Sequence, residues 1–302
     1  MSTEGEYYVP ESSKLPPFAA IGLGVIAVGA GSWVQGQSSL TFWVGSFVIA
    51  ATLYKWFSIV IHENMAGMNS DQLKRSYVWG MSWFIFSEVM FFAVFFGSLW
   101  YIRALVLPWL GGETTATTSN DLLWSGFEPT WPLMVTPDQA ANGESAQFTG
   151  PEQNMSFPGW DRILQWLPLW NTVILLSSSV TVHIAHTGLK NNDRKKFNLW
   201  LGITVLLGMI FLVLQAEEYI EAYVHMGLTL ESGIYGTIFF MMTGFHGAHV
   251  TFGTIMLLVQ FLRGLKGHFN DKEQFGFEAA SWYWHFVDVV WVGLFLFVYI
   301  LA

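Results

Sequence analysis

Seven long apolar stretches dominate this 302-residue sequence, and each is long enough to cross the hydrocarbon core of a bilayer. A helix needs about 20 apolar residues for that crossing. In lipid every backbone N–H and C=O must be paired within the protein, and a helix pairs them within its own segment. The stretches are too long and too evenly apolar for barrel strands. The sequence therefore predicts an all-α polytopic membrane protein with spans over residues 16–34, 40–61, 77–107, 163–186, 197–224, 233–262 and 277–301.

The composition excludes several other classes of protein. Charged residues make up only 12% of the chain, whereas an ordinary soluble domain carries about 25%. With 13 basic against 22 acidic residues the net charge is -9, so the chain offers nucleic acid no basic surface. Cysteine is absent, which excludes disulfides, thiolate metal sites, iron–sulfur clusters and cysteine nucleophiles.

The distribution of basic residues predicts the orientation of the chain. All but two lie before the first span or beside the connections between spans two and three, four and five, and six and seven. Only Arg103 and Arg162 lie towards the other side. The positive-inside rule then places the amino terminus in the cytoplasm and the carboxyl terminus outside a bacterial-type inner membrane.

The spans divide the chain into consecutive segments. Residues 1–15 form a cytoplasmic N-terminal segment without the basic region of a cleaved signal. Helices 1 and 2 occupy residues 16–61, a cytoplasmic loop 62–76, helix 3 residues 77–107, and helices 4 to 7 residues 163–302. Between them lies a long, acidic extracytoplasmic loop, residues 108–162. We expect this loop to be flexible, as long polar loops usually are, and the alternative is a docking surface for a basic partner.

Small residues at four-residue spacing predict where helices approach each other closely. A pair of small side chains on one face lets two backbones come together. The pairs are Ala20 with Gly24, Ala27 with Gly31, and Gly244 with Ala248.

Ionisable side chains inside the spans are candidate functional residues, because each is costly in lipid. His246 and His249 are three residues apart on one helix face, so they cannot approach one haem iron from opposite sides. A metal site that adds His285 or Glu88 matches no recognised ligand motif. We therefore expect no metal or haem to be bound by this chain. The embedded polar groups expected to be structural are Glu218, His246, His249, His285 and Asp288.

Glu88 has two interpretations, a carboxyl group hydrogen-bonded inside the bundle or a proton carrier. A carrier needs a relay that opens to both faces, and the outer half offers only Glu217, Glu218 and Glu221 near the surface. Nothing in the sequence links that group to Glu88, so the packing interpretation is favoured. In the last span His285 and Asp288, three residues apart, are expected to pair with each other.

Residues 275–291, FGFEAASWYWHFVDVVW, are similar to the signature of the subunit III family of haem–copper cytochrome c oxidases. The similarity continues in TGFHGAHV at 243–250, LQAEEY at 214–219 and FSEVMFF at 86–92. It therefore covers spans three, five, six and seven, and span two more loosely through residues 55–56 and 62–63.

The resemblance implies a particular architecture and role. Family members have a helix pair and a five-helix bundle, separated by a V-shaped cleft that holds phospholipids. They are non-redox core subunits of a proton-pumping oxidase of aerobic respiration, bound to subunits I and II, with cytochrome c as electron donor. Haems and copper are then expected only in partner subunits. The family subunit is thought to stabilise subunit I and to support proton uptake.

The resemblance also suggests roles for individual residues. Glu88 matches the family's intramembrane carboxylate, and Trp56 resembles an aromatic position beside the lipid cleft. Arg263, Lys266 and His268 fall where the family places lipid headgroup contacts. Basic residues at the inner ends of spans face anionic headgroups in any case, so an ordinary positive-inside cluster explains these three equally well.

Other functions are open at this stage. The third subunit of a quinol oxidase typically has five spans, so the seven spans and the FEAASWYW stretch favour the cytochrome c branch. A free-standing ion or proton transporter would use Glu88, His249 and Asp288 as a relay. A membrane haem protein is the third alternative.

Overall fold

The computed structural model describes residues 12–68, 70–113, 117–269 and 274–302, and the regular elements in these ranges are all helical. Residues 1–11 of the predicted N-terminal segment and Lys272 lie outside them. In chain order the α-helices are α1 (Leu15–Val34), α2 (Leu40–Met65), α3 (Asp71–Tyr101), α4 (Leu107–Leu110), α5 (Thr117–Leu123), α6 (Pro137–Asn142), α7 (Leu167–Lys190), α8 (Arg194–His225), α9 (Gly233–Leu265) and α10 (Phe275–Leu294).

Seven of the described helices are long and apolar enough to cross a membrane, which confirms the predicted class and number of spans. They are α1, α2, α3 with its continuation to Leu110, α7, α8, α9, and α10 with its continuation to Ile300. The continuations include π-helical segments at Ile102–Val106 and Phe295–Ile300.

The helix boundaries differ from the predicted spans where hydropathy is a poor guide. The structure starts α7 at Leu167, four residues later than predicted, after a short 3₁₀ turn at Ile163–Gln165. Pro168 in its first turn has no N–H and a fixed φ, so it suits a helix start. The third span is longer than predicted at both ends. Asp71 lies in its polar first turn, where a negative charge favours the helix N-terminus.

The chain divides into two compact units, and the division falls between Leu73 and Lys74 in the first turn of α3. In the first unit α1 and α2 pack closely through glycines. A Cβ on Gly45 would lie 2.7 Å from the backbone nitrogen of Ile26, closer than real Cβ atoms come. Gly29 approaches the backbone of Phe42 in the same way. These contacts require residues without a side chain.

The small-residue pairs predicted for the first span are wrong. All four residues are exposed, and a Cβ on Gly24 or Gly31 would meet no neighbouring atom within 4 Å. The buried glycines of α1 are Gly22 and Gly29, seven residues apart. Because α1 carries small residues on several faces, four-residue spacing alone could not select the face that meets α2.

In the second unit α7, α8, α9 and α10 pack in sequence, and α10 also contacts α7, so the four helices close into a bundle. Trp284 of α10 is fully buried at the centre. Its indole ring fills the space that Gly208 of α8 and Gly253 of α9 leave, since a Cβ on either glycine would lie within 3 Å of the ring. Its N–H donates to Ser178 Oγ of α7 at 2.9 Å. One side chain thus connects all four helices.

The bundle has two ends, which we name by what lies there. The loop end comprises the N-terminal ends of α7 and α9, the C-terminal ends of α8 and α10, and residues 117–166. The basic end is the opposite one. It carries Lys190, Arg194, Lys195, Lys196, Arg263 and Lys266.

Aromatic side chains attach α3 to this bundle. Phe84 stacks on Tyr283 of α10 with ring centroids 6.0 Å apart, and Phe91 meets Phe245 of α9 edge to face at 5.1 Å. Because the rings are large, α3 contacts its neighbours through side chains and not through close backbone packing.

The described part of the long loop is structured, which contradicts the expectation of a flexible segment. The backbone N–H groups of Glu152 and Gln153 donate to the carbonyl oxygen of Met226, at 3.0 and 3.2 Å. Further along, Met155 N–H donates to Tyr235 Oη and Phe157 N–H to the carbonyl oxygen of Tyr299, both at 3.0 Å. Residues 152–157 therefore lie across the ends of α8, α9 and the final helix.

A second set of bonds orders the loop around Asp138. Its carboxylate accepts hydrogen bonds from the backbone N–H of Phe148 and of Gln147 and from the amide of Asn142. These bonds favour the ionised form, with Phe148 the largest contributor, and lower the pKa of Asp138. They support the loop while Asp138 is ionised and are lost as the pH falls through its lowered pKa.

The glycine contacts in the first unit predict the effect of a single methyl group. Gly29→Ala places a Cβ against the backbone of α2, and we expect the free energy of unfolding to fall by about 1–3 kcal/mol. Gly31→Ala, on the same helix and facing open space, is the matched control and should be neutral. Thermal denaturation of the purified protein measures both, and equal midpoints for the two variants would contradict this packing.

Candidate functional site

Glu88 and His249 form a hydrogen-bonded pair between α3 and α9. Glu88 Oε2 lies 2.8 Å from His249 Nε2, and the side chains are 22% and 13% exposed. His249 Nδ1 lies 2.6 Å from the carbonyl oxygen of Phe245, so Nδ1 carries the proton. The bond to Glu88 is then either a carboxylic acid donating to a neutral imidazole or an imidazolium donating to a carboxylate. Both arrangements have zero net charge, which suits a pair inside a span.

Aromatic rings enclose this pair. The imidazole of His249 lies 5.0 Å from the ring of Phe92, 5.9 Å from Phe91 and 6.3 Å from Tyr283, measured between centroids. Among the residues that the structure describes, Glu88 hydrogen-bonds to His249 alone. This is the bond inside the bundle that the packing interpretation predicts, and no described polar group connects Glu88 to Glu218.

His246, one helical turn earlier on α9, lies in a separate environment. It is 1% exposed, and its Nε2 lies 3.2 Å from the carbonyl oxygen of Val287 on α10. The rings of Trp291 and Phe211 pack on either side, at 5.0 and 5.8 Å. The described residues contain no group of three His, Asp or Glu side chains that could hold a metal ion. The absence of haem and metal from this chain stays a prediction.

The pairing expected between His285 and Asp288 is present, with Nδ1 3.5 Å from Oδ2. Ser179 of α7 joins them, since its Oγ lies 2.8 Å from the same Nδ1. The carboxylate of Asp288 is 5% exposed, whereas the imidazole of His285 is 41% exposed. The group therefore extends from the bundle interior to its surface on the face between α7 and α10.

Glu218 is separated from the two glutamates with which the sequence grouped it. It is 1% exposed, and its Oε1 accepts a hydrogen bond from Tyr299 Oη at 2.6 Å. Glu217 and Glu221 are exposed on the surface of α8. The three residues are neighbours in sequence but do not form one group near the surface.

Sequence comparison identifies the family. The sequence model described as Cytochrome c oxidase subunit III matches residues 5–115 and 163–302. The proteins named cytochrome c oxidase subunit 3 of Equus caballus, Sus scrofa and Homo sapiens are each 35% identical to this chain over 294 residues. Each alignment covers 97% of this chain and 96% of the relative. The chain belongs to the cytochrome c oxidase subunit III family.

Membership of the subunit III family indicates that some surfaces of this chain contact other subunits. The relatives are subunits of an oxidase complex, so the chain is part of a multi-subunit assembly. The part of the loop from 116 to 162 falls between the two ranges that match the family's sequence model. The hydrogen bonds to Met226, Tyr235 and Tyr299 show how this segment packs onto helices that follow it in sequence.

The four residues expected to contact lipid differ in what they present. Trp56 on α2 is 38% exposed. At the basic end Lys266 is exposed, but Arg263 is 8% exposed, with its guanidinium 4.7 Å from the ring of Phe269. Arg263 therefore does not present its charge outward as a headgroup contact requires. Desolvation, and then the charges of Arg263 and Lys266, lower the pKa of His268, which favours its neutral form. Lipid binding at these residues stays a prediction.

The sequence of this subunit III family member did not predict two of the residues that hydrogen-bond to the embedded polar groups. Ser179 and Tyr299 each complete a polar group whose acidic member was predicted. Serine and tyrosine are common in membrane helices, and no local spacing links them to residues 106 and 81 positions away.

The geometry of the Glu88 pair predicts different results for two substitutions. Glu88→Leu leaves His249 Nε2 without a partner, and we expect the free energy of unfolding to fall by about 1–3 kcal/mol. In Glu88→Gln the amide still donates to Nε2, so the loss should be less than about 1 kcal/mol. Proton pumping by the assembled Glu88→Gln enzyme should stay close to wild type.

Thermal denaturation and pumping in liposomes measure the two effects separately. A fully assembled Glu88→Gln enzyme that no longer pumps would show that Glu88 carries protons.

Proposed function

We propose that this chain is the non-redox core subunit III of a proton-pumping cytochrome c oxidase. In this role it stabilises subunit I, holds phospholipid and supports proton uptake, while haems and copper reside in partner subunits. The observation that carries the proposal is the face between α7 and α10, where one polar group interrupts an apolar surface. Subunits I and II are the expected partners, and cytochrome c is the expected electron donor to the complex.

The α7/α10 face has the properties of a helix-docking surface inside a membrane. Around the half-exposed imidazole of His285 the surface is apolar, and its exposed side chains are Val173, Leu176, Val180, Val289 and Val292. Nδ1 is held by Ser179 and Asp288, so Nε2 is the nitrogen left for a neighbour. Hydrocarbon provides no hydrogen bond for it, whereas a polar side chain on a partner helix does. The face therefore fits a protein partner better than lipid.

Phospholipid binding is supported by surfaces in each unit. Lys266 presents a positive charge at the basic end, where an anionic headgroup would lie under the predicted orientation. On α2 the side chains of Phe47, Tyr54 and Phe57 are 75%, 78% and 61% exposed. Such apolar and aromatic surface suits contact with acyl chains and the interfacial region.

Support for proton uptake comes from titratable groups at the basic end of α7 and α10. His186 Nε2 lies 3.4 Å from Glu278 Oε1, and both side chains are partly exposed. His183, one turn away on α7, is exposed. Under the proposed orientation, with the amino terminus in the cytoplasm of a bacterial-type cell, these groups face the side from which protons are taken up. Histidine is the side chain that proteins use most often to pass protons, so its presence at this end supports the proposal.

The docking surface predicts weaker assembly when its polar group is removed. In His285→Leu the partner loses one interhelical hydrogen bond, and we expect association to weaken by roughly 3- to 18-fold, or about 0.6–1.7 kcal/mol. His225→Leu is the matched control, because His225 is exposed at the loop end of α8 and away from this face. Retention of the chain during detergent washing of the purified oxidase measures the effect. Retention equal to wild type in His285→Leu would contradict docking through this face.

The role in proton uptake predicts a pH-dependent defect. When the chain is depleted from the oxidase, turnover should slow most at high pH, because protons are scarce there and assistance at the uptake surface matters most. Steady-state oxygen consumption across a pH series, with and without the chain, provides the measurement. A loss of the same proportion at every pH would indicate a purely structural role.

A further inference from the structure

Four buried polar side chains meet at the loop end of the bundle. Glu218 accepts from Tyr299 Oη at 2.6 Å, and Asn171 Nδ2 lies 3.4 Å from Gln215 Oε1. Asn171 and Tyr299 are 0% exposed, Glu218 1% and Gln215 6%. The group joins α7, α8 and the final π-helical turn, and none of its members takes part in the Glu88 or His285 pairs.

Three atoms in this group have no hydrogen-bond partner among the described residues. They are Glu218 Oε2, Gln215 Nε2 and Asn171 Oδ1. Each buried polar atom without a partner destabilises the folded state. Three such atoms on adjoining side chains would be a large penalty for a stable membrane bundle.

The side chains that carry the three atoms adjoin in the fold. Gln215 and Glu218 are one turn apart on the same face of α8, and the amide of Asn171 touches that of Gln215. Asn171 Oδ1 accepts and Gln215 Nε2 donates, while Glu218 Oε2 accepts when the carboxyl is ionised and donates when it carries the proton. A ligand that both donates and accepts hydrogen bonds matches these atoms in either state.

The long loop covers this group from the aqueous side. Phe157 N–H donates to the carbonyl oxygen of Tyr299 at 3.0 Å, and the ring of Trp166 packs 6.1 Å from the tyrosine ring. Trp166 is itself buried. Because of this cover, a ligand at these atoms is enclosed by protein and does not exchange freely with bulk solvent.

We propose that Asn171, Gln215 and Glu218 bind an internal water molecule that links α7 to α8 beneath the long loop. The water accepts a hydrogen bond from Gln215 Nε2, donates one to Asn171 Oδ1 and forms a third with Glu218 Oε2. Three hydrogen bonds are typical of a buried water. The bound water turns separate polar atoms into one network that holds the ends of three helices together.

A metal cation fits the site less well. Hard cations take about six or more oxygen ligands, and the described residues offer two unpartnered oxygens here. The amide N–H of Gln215 also repels a positive charge. Water is the small ligand that matches both the number and the kind of these atoms.

A density map of the intact oxidase, at a resolution that shows ordered water, tests the proposal directly. Density should appear within about 2.7–3.2 Å of Glu218 Oε2, Gln215 Nε2 and Asn171 Oδ1. Its absence, in a map that shows water at other buried sites, would overturn the proposal. So would a direct hydrogen bond between Glu218 and Asn171 without an intervening atom.

Variants add a second test of the water site. Asn171→Leu is similar in size but removes one acceptor, so the water density should be lost and the denaturation temperature lowered. Ser177→Ala is the control, because Ser177 lies exposed on the same helix and, among the described residues, bonds to the carbonyl of Val173 alone. Unchanged density in Asn171→Leu would contradict the assignment. If Asn171→Leu does not assemble, the wild-type map decides.

Discussion

The hydrogen bonds between polar side chains inside the spans determine how the helices of the second unit are held together. In hydrocarbon an imidazole or carboxyl group without a hydrogen-bond partner is costly, so each such group is expected to lie against a polar group that bonds to it. Glu88 binds His249 and thereby fixes α3 to α9. His285 bonds to Ser179 and lies 3.5 Å from Asp288, and Glu218 accepts from Tyr299, which ties α10 and its final turn to α7 and α8. Each of these hydrogen bonds joins two different helices, as expected of a scaffold, and no polar path between Glu88 and Glu218 is present among the described residues.

The sequence predicted features that depend on local pattern and missed those that depend on contacts between distant residues. The seven spans follow from apolar length, and the pairing of His285 with Asp288 follows from helical spacing. Glu88 and His249 are 161 positions apart, so only the packed bundle shows them to be partners. The face of α1 that meets α2 was predicted wrongly, because exposed Gly24 and Gly31 have the same small size as buried Gly22 and Gly29.

The long loop shows how composition can mislead. Residues 108–162 are polar, acidic and rich in turn-forming residues, which is the usual pattern of a mobile connection. In the structure, backbone N–H groups of this loop instead donate hydrogen bonds to Met226, Tyr235 and Tyr299 at the helix ends. Backbone hydrogen bonds of this kind cannot be predicted from amino-acid composition. They make the loop a cover for the ends of the bundle, including the buried group around Glu218.

The central claim is that this chain is a scaffold whose embedded polar side chains join its helices and that the redox centres of the oxidase lie in other subunits. The most direct measurement is to purify the complex through this chain in mild detergent and then dissociate the chain from its partners. Haem absorbance and metal content are recorded for both fractions. The account predicts that all haem and copper remain with the partner subunits and that the separated chain has no Soret band. Stoichiometric haem or copper in the separated, folded chain would contradict it.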